Sequence, residues 1–142
     1  MEGALALSVR YVHERVQFGR PLAAFQAVAH PLAVAAEEAA SARLAADHAV
    51  RALAARGAHD ELAWRALAVA RIRSGEASGR VVEAVHQAHG AIGFTREYGL
   101  HHYTRRLLAW RDEHGTDAHW AIELGRRVAA HGALWAFTIE SD

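Results

Sequence analysis

The sequence predicts an all-α, up-and-down helical bundle, and three observations carry that prediction. Alanine fills 34 of the 142 positions and arginine supplies all 16 basic residues, and both are good helix formers. Proline occurs only as Pro21 and Pro31. Apolar residues recur at steps of three and four, and no stretch alternates as a half-buried strand would. No low-complexity tract or internal repeat stands out.

Residues 2–15 read as the tail of one helix whose Ala4, Leu5, Val9 and Val12 need a partner. Leu22, Phe25, Ala29, Leu32 and Ala36 open a long amphipathic helix, and Leu44 and Leu53 carry its stripe towards Gly57. Pro31 removes one backbone donor and crowds the preceding turn. It predicts a kink near His30, or a helix that begins at Pro31 after a separate short one over residues 22–29. Gly57 is the C-terminal stop, and Asp60 can accept from the free N–H groups of the next helix. There Ala63, Leu67, Ala70, Ser74, Ala77, Val81, Ala84 and Ala88 alternate by four and three, a seam of small residues that lets helices pack closely. Arg65, Arg71, Arg73, Glu76 and Arg80 then lie elsewhere on that helix's surface. Gly90 and Gly93 break it. A shorter helix over Glu97 to Arg111 follows, and after Gly115 a last one is capped by Thr116 and turns Ala121, Leu124, Val128 and Trp135 inward.

The length fits one domain over residues 1–142. Sixteen arginines balance sixteen carboxylates, so nucleic acid is not an expected partner. No apolar stretch approaches the roughly 18 residues that span a bilayer, and Met1-Glu2-Gly3-Ala4 lacks a basic signal-peptide start, so the expected location is cytoplasmic. The absence of cysteine excludes disulfides, thiolate nucleophiles and Cys-type metal sites.

Special residues concentrate in three stretches at predicted helix ends: Arg15 to Pro21, Gln87 to Phe94, and Glu113 to Thr116. Helix termini expose unpaired N–H groups, and a glycine turn beside an arginine can receive a phosphate. Taken singly, each stretch reads first as a helix cap with a solvated arginine.

Their order and spacing together resemble the C-terminal helical domain of the flavin-dependent acyl-CoA dehydrogenases. Tyr11 to Gly19 looks like that family's Tyr-x3-Arg-x2-Phe-Gly signature, followed by Pro21 and the Phe25-Gln26 pair. Gln87 to Tyr98 resembles its Gln-x2-Gly-Gly-x-Gly-Phe/Tyr-x2-Glu-Tyr, and Arg105 keeps the arginine that follows. The resemblance implies a bundle at the centre of an oligomer, with helix ends that reach FAD held mainly by a neighbouring subunit. It assigns Arg15 and Gln17 to the cofactor pyrophosphate, Phe18 to the flavin and Gln26 to its vicinity. Gln87 and the turn at Gly90 would receive the ADP portion, and Thr116 would offer its hydroxyl and a helix N-terminus to the same cofactor. Gly115 falls in the substrate-binding position.

Two departures stand out. The family's second glycine is Ala91 here, and the glutamate that removes the α-proton of the acyl thioester is replaced by His114. A neutral imidazole can accept a proton, so His114 marks the position of the catalytic base. The same substitution fits a heteromer in which one subunit completes its partner's site. The family's N-terminal helical and middle β domains are not within these residues. The chain is therefore expected as a fragment of a longer polypeptide or as a small subunit, binding flavin weakly or not at all alone. The implied partners are an acyl-CoA substrate from fatty-acid or sterol side-chain oxidation and a homo- or hetero-oligomeric dehydrogenase chain, with room for an electron-transfer partner.

Two other readings compete. Glu83-x-x-His86 has the spacing of di-iron carboxylate bundles, but no second copy exists, and no metal is expected. A structural bundle that pairs through its alanine seam would do no chemistry, and Arg15 and Gln87 would then be free to change.

Overall fold

The computed structural model describes residues 1–132 together with Trp135 and Ala136. Among the described residues five α-helices form the framework: α1 (Glu2–Glu14), α2 (Gln26–Arg56), α3 (Glu61–His89), α4 (Leu100–Asp112) and α5 (Asp117–His131). A hairpin of two short strands, β1 (Val16–Gln17) and β2 (Arg20–Pro21), links α1 to α2 through a 3-10 turn at Leu22–Ala24. A second 3-10 turn, Gly90–Phe94, follows α3.

The capping chemistry sits where the sequence puts it. Asp60 accepts from the N–H groups of Leu62 and Ala63, both at 2.9 Å, and Thr116 accepts from His119 at 3.2 Å. Gly57, at φ 86, ends α2 and donates to the Leu53 carbonyl at 2.9 Å. At Pro31 the structure departs from one of the two expectations: a 3-10 turn over Leu22–Ala24 stands where a separate short helix was expected, and α2 starts at Gln26 and carries Pro31 inside it, in place of a start at Pro31.

The α3 helix is the axis of the bundle and packs against each of the other four. Its seam residues Ala63, Ala70, Ala77, Val81, Ala84 and Ala88 are buried. The larger part of the core lies towards its C-terminal end, where Leu5 and Val12 of α1, Leu32 of α2, Val81 and Val85 of α3, and Leu100 of α4 converge. The other end holds a small cluster of Ala49, Ala66 and Ala70. Between the two, the carboxylate of Glu38 is buried against α3 and accepts from Arg73 at 2.6 Å and from Arg80. The hydrogen bond from Arg73 holds the Glu38 carboxyl below the usual carboxylate range.

Three expected faces are rotated. α1 buries Ser8 in place of Val9, which is exposed. α2 turns Leu32, Ala35, Ala39, Ala42 and Ala49 inward and leaves Ala36 and Leu44 outside, Leu44 with 67% of its surface accessible. On α5, Ala121 is exposed while Leu124 and Val128 are half-buried, and Trp135 is half-buried with its carbonyl accepting from Arg65. Among the described residues no helix is long and apolar enough to cross a membrane.

Candidate functional site

At the end of α1 the chain leaves the helix at Arg15, whose carbonyl accepts from Leu22 at 2.9 Å and closes the hairpin base. The hairpin turns through Phe18 and Gly19, at φ 54 and 81. Two successive positive φ values suit the right-handed twist of a two-residue hairpin. They are easy for glycine and costly, by about 1 kcal/mol, for a bulky side chain. Phe18 is 87% exposed all the same; its ring meets that of Phe25 edge-on with centroids 6.0 Å apart, while the Arg20 guanidinium lies 4.1 Å over the Phe25 ring.

The C-terminal end of α3 stands beside this hairpin. Gly90 ends the helix at φ 63, and Ala91 in the 3-10 turn takes no positive φ, so its methyl introduces no left-handed strain. Beneath them His89 is buried and stacks on Tyr11 at 4.4 Å. Its Nδ1 lies 2.7 Å from the Val85 carbonyl, which can only accept, so Nδ1 carries the proton and Nε2 accepts from the Tyr98 hydroxyl at 3.1 Å. Burial pushes His89 below the usual imidazole range, in keeping with a neutral ring.

Over this floor runs a groove of about 500 Å³ lined by Arg15, Gln17, Gln87 and Gly90, with Tyr11 and Ile92. The structure thus brings four of the sequence-predicted residues together from two blocks far apart in the chain. Gln87 and Gly90 also border a second groove of about 700 Å³, with Glu83, His86 and Phe94. There His86 stacks on Phe94 at 4.4 Å, and its Nε2 meets the Thr104 hydroxyl at 3.1 Å. Its Nδ1 is buried without a hydrogen-bond partner among the described residues, and burial lowers its pKa. Phe18 and Gln26 are exposed and do not line the first groove. Among the described residues no group of three or more metal-ligating side chains converges.

The third stretch lies elsewhere. His114 and Gly115, at φ 57 and 96, make a left-handed turn between α4 and α5. A methyl on Gly115 would come within 2.7 Å of the His119 ring. Arg71 Nη2 donates to the carbonyls of Glu113 and Gly115, the latter at 2.9 Å, and the Trp120 indole donates to that of His114 at 3.0 Å. The His114 side chain is exposed. The Thr116 hydroxyl is taken up by its own helix. Arg71 and Gly90 are nineteen residues apart on one helix, about 28 Å at 1.5 Å per residue, so the turn and the groove are separate places on the domain. Sequence reasoning missed the Tyr11–His89–Tyr98 floor and Arg71. Arg71 reads as one more surface arginine until α3 is seen to pass under the turn.

Comparison with known proteins matches residues 1–129 to the family described as acyl-CoA dehydrogenase, C-terminal domain. The acyl-CoA dehydrogenase IpdE2 of Mycobacterium tuberculosis is 36% identical over 105 residues, which cover 74% of this chain and 30% of that protein. The solved steroid ACAD Tcur3481-Tcur3483 is 34% identical at a TM-score of 0.84, with 93% of this chain and 36% of that one covered. A chain of the ChsE4-ChsE5 complex of Mycobacterium tuberculosis is 26% identical at a TM-score of 0.83, with 90% and 34% covered. The chain spans about a third of the length of these relatives.

Proposed function

The chain belongs to the acyl-CoA dehydrogenase family, and from that premise we propose that it is the part of an FAD-dependent acyl-CoA dehydrogenase that supplies flavin contacts and the oligomer core. The observation that carries this is the groove that Arg15, Gln17, Gln87 and Gly90 share. These residues fit the group. A guanidinium offers paired donors to a pyrophosphate, two amides add neutral donors, and the open space over Gly90 lets an anionic ligand approach backbone. Bound there, FAD would supply the hydride acceptor for α,β-dehydrogenation of an acyl-CoA thioester.

The residues of this chain bind, orient and accept a proton. Arg15 and Gln87 hold the cofactor, Phe18 offers an exposed apolar ring beside it, and Gln17 and Gln26 flank it. Gly115 and Thr116 shape the second place, where the imidazole of His114 accepts the α-proton. The ligands and partner are an acyl-CoA and a dehydrogenase chain, this one or another. ChsE4-ChsE5 being a complex favours the second.

The test is to purify the tagged chain from its own host, record the visible flavin spectrum and weigh every co-purifying polypeptide. A yellow complex with a longer chain is expected. A colourless, well-folded, solitary chain would contradict the proposal.

A further inference from the structure

We propose that Arg71 and Trp120 are positioning residues that set the direction of His114 from inside the domain. The inference rests on the reading of His114 as the proton acceptor and adds what aims it. Three successive carbonyls, of Glu113, His114 and Gly115, accept from two side chains, Arg71 of α3 and Trp120 of α5. A peptide plane is rigid, so fixing its carbonyl directs its N–H the opposite way. With all three planes fixed, the left-handed conformation of His114 and Gly115 is over-determined, and the Cα–Cβ direction of His114 is set with it.

Arg71 suits this task by its chemistry. One planar nitrogen with two hydrogens serves both outer carbonyls. Its Nε is buried and has no partner among the described residues, so the guanidinium's hold on protein lies at the turn. Gly115 completes the arrangement, because a side chain there would strike His119 and push Trp120 away from the central carbonyl. The neighbouring pair of Arg111 and Asp117, 3.1 Å apart, ties the last turn of α4 to the first of α5 and leaves the three carbonyls to Arg71 and Trp120.

The test compares Arg71→Met and Arg71→Lys in the assembly purified from the host, by amide hydrogen exchange over residues 113–118 and by kcat and KM across pH. The acyl-CoA used is the one that the assembly turns over fastest. Arg71→Met is expected to speed exchange in that segment at least tenfold. It should also lower kcat tenfold or more with KM and flavin content unchanged, and Arg71→Lys should recover part of both. Unchanged exchange overturns the proposal, as does unchanged kcat in a protein that loses turnover on His114→Gln. If His114→Gln retains full turnover while Arg71→Met still frees the segment, the proton-acceptor reading fails and the hold on the turn stands. Should Arg71→Met not fold, Trp120→Phe removes the indole donor alone, and a few-fold faster exchange is expected; no change there overturns the proposal.

Discussion

The groove at the C-terminal end of α3 and the turn between α4 and α5 are both helix ends bearing family signatures, yet they are held in opposite ways. The groove stands on a packed floor of His89, Val85 and Leu100, all buried, with its polar residues exposed above. The turn has little beneath it, since α5 buries no residue fully, and its shape depends on donors to three carbonyls. One place is held by volume and the other by hydrogen bonds, so substitutions should separate them.

Leu100→Ala should have the largest effect. It empties fully buried space in the main core and is expected to cost about 2–5 kcal/mol, measured as a lower urea midpoint. Flavin retention should fall with it. If exchange at the turn rises as much as exchange at the groove, the two places are one unit and the comparison breaks.

Two glycines sharpen the contrast at a smaller scale. A methyl at Gly93 would lie 2.9 Å from the His89 Cβ and 3.1 Å from Leu100 Cδ2, so Gly93→Ala overpacks the groove floor at about 1–3 kcal/mol. Gly115→Ala forces a side chain into positive φ and onto His119, with local strain of about 1–3 kcal/mol. Exchange mapping should place the first loss around residues 86–94 and the second around residues 113–118. Identical maps for the two variants would contradict the separation.

Acid acts on the groove end and on the middle of the bundle in sequence. His86 and His89 sit below the ordinary imidazole range because of burial, so the unfolded chain takes up protons before the folded one as pH falls below about 6.5. The stability they carry is present above that value and fades towards their folded values. Glu38, kept low by its hydrogen bond from Arg73, contributes above the unfolded carboxylate value of about 4.3 and loses this as pH drops through its lower folded value. Exchange against pH should therefore show the groove end loosening first. A simultaneous loss at Glu38 and His89 would refute that order.

The smallest effect belongs to the hairpin. Phe18→Asn replaces a bulky residue at φ 54 with one that tolerates the left-handed region, and should raise stability by about 1 kcal/mol while perturbing the flavin spectrum of the assembly. A gain in stability with an unaltered spectrum would remove Phe18 from the flavin's surroundings.

What the sequence made legible was local. Asp60, Gly57 and Thr116 cap as expected because a cap needs only a donor or acceptor within one helical turn. The seam of α3 was legible because it mixes alanine with valine at fixed steps. The stripe of α2 was not, because a helix so rich in alanine offers several equally apolar faces, and the partner's shape selects Ala35 and Ala39 over Ala36 and Leu44. The hairpin escaped notice because it has two pairs of residues and rests on backbone dihedrals. At the candidate site, Arg15, Gln17, Gln87 and Gly90 were legible by residue type. The hold on the His114 turn was not, because Arg71 reaches across 42 and 44 residues to carbonyls, which have no signature in sequence.

The most direct test of the central claim is the flavin-to-chain ratio in the purified assembly, for the native protein and for Arg15→Ala combined with Gln87→Ala. Both side chains are exposed, so melting temperature should hold while flavin is lost. Full flavin occupancy in the double variant would contradict the claim and leave the groove a structural feature of the bundle.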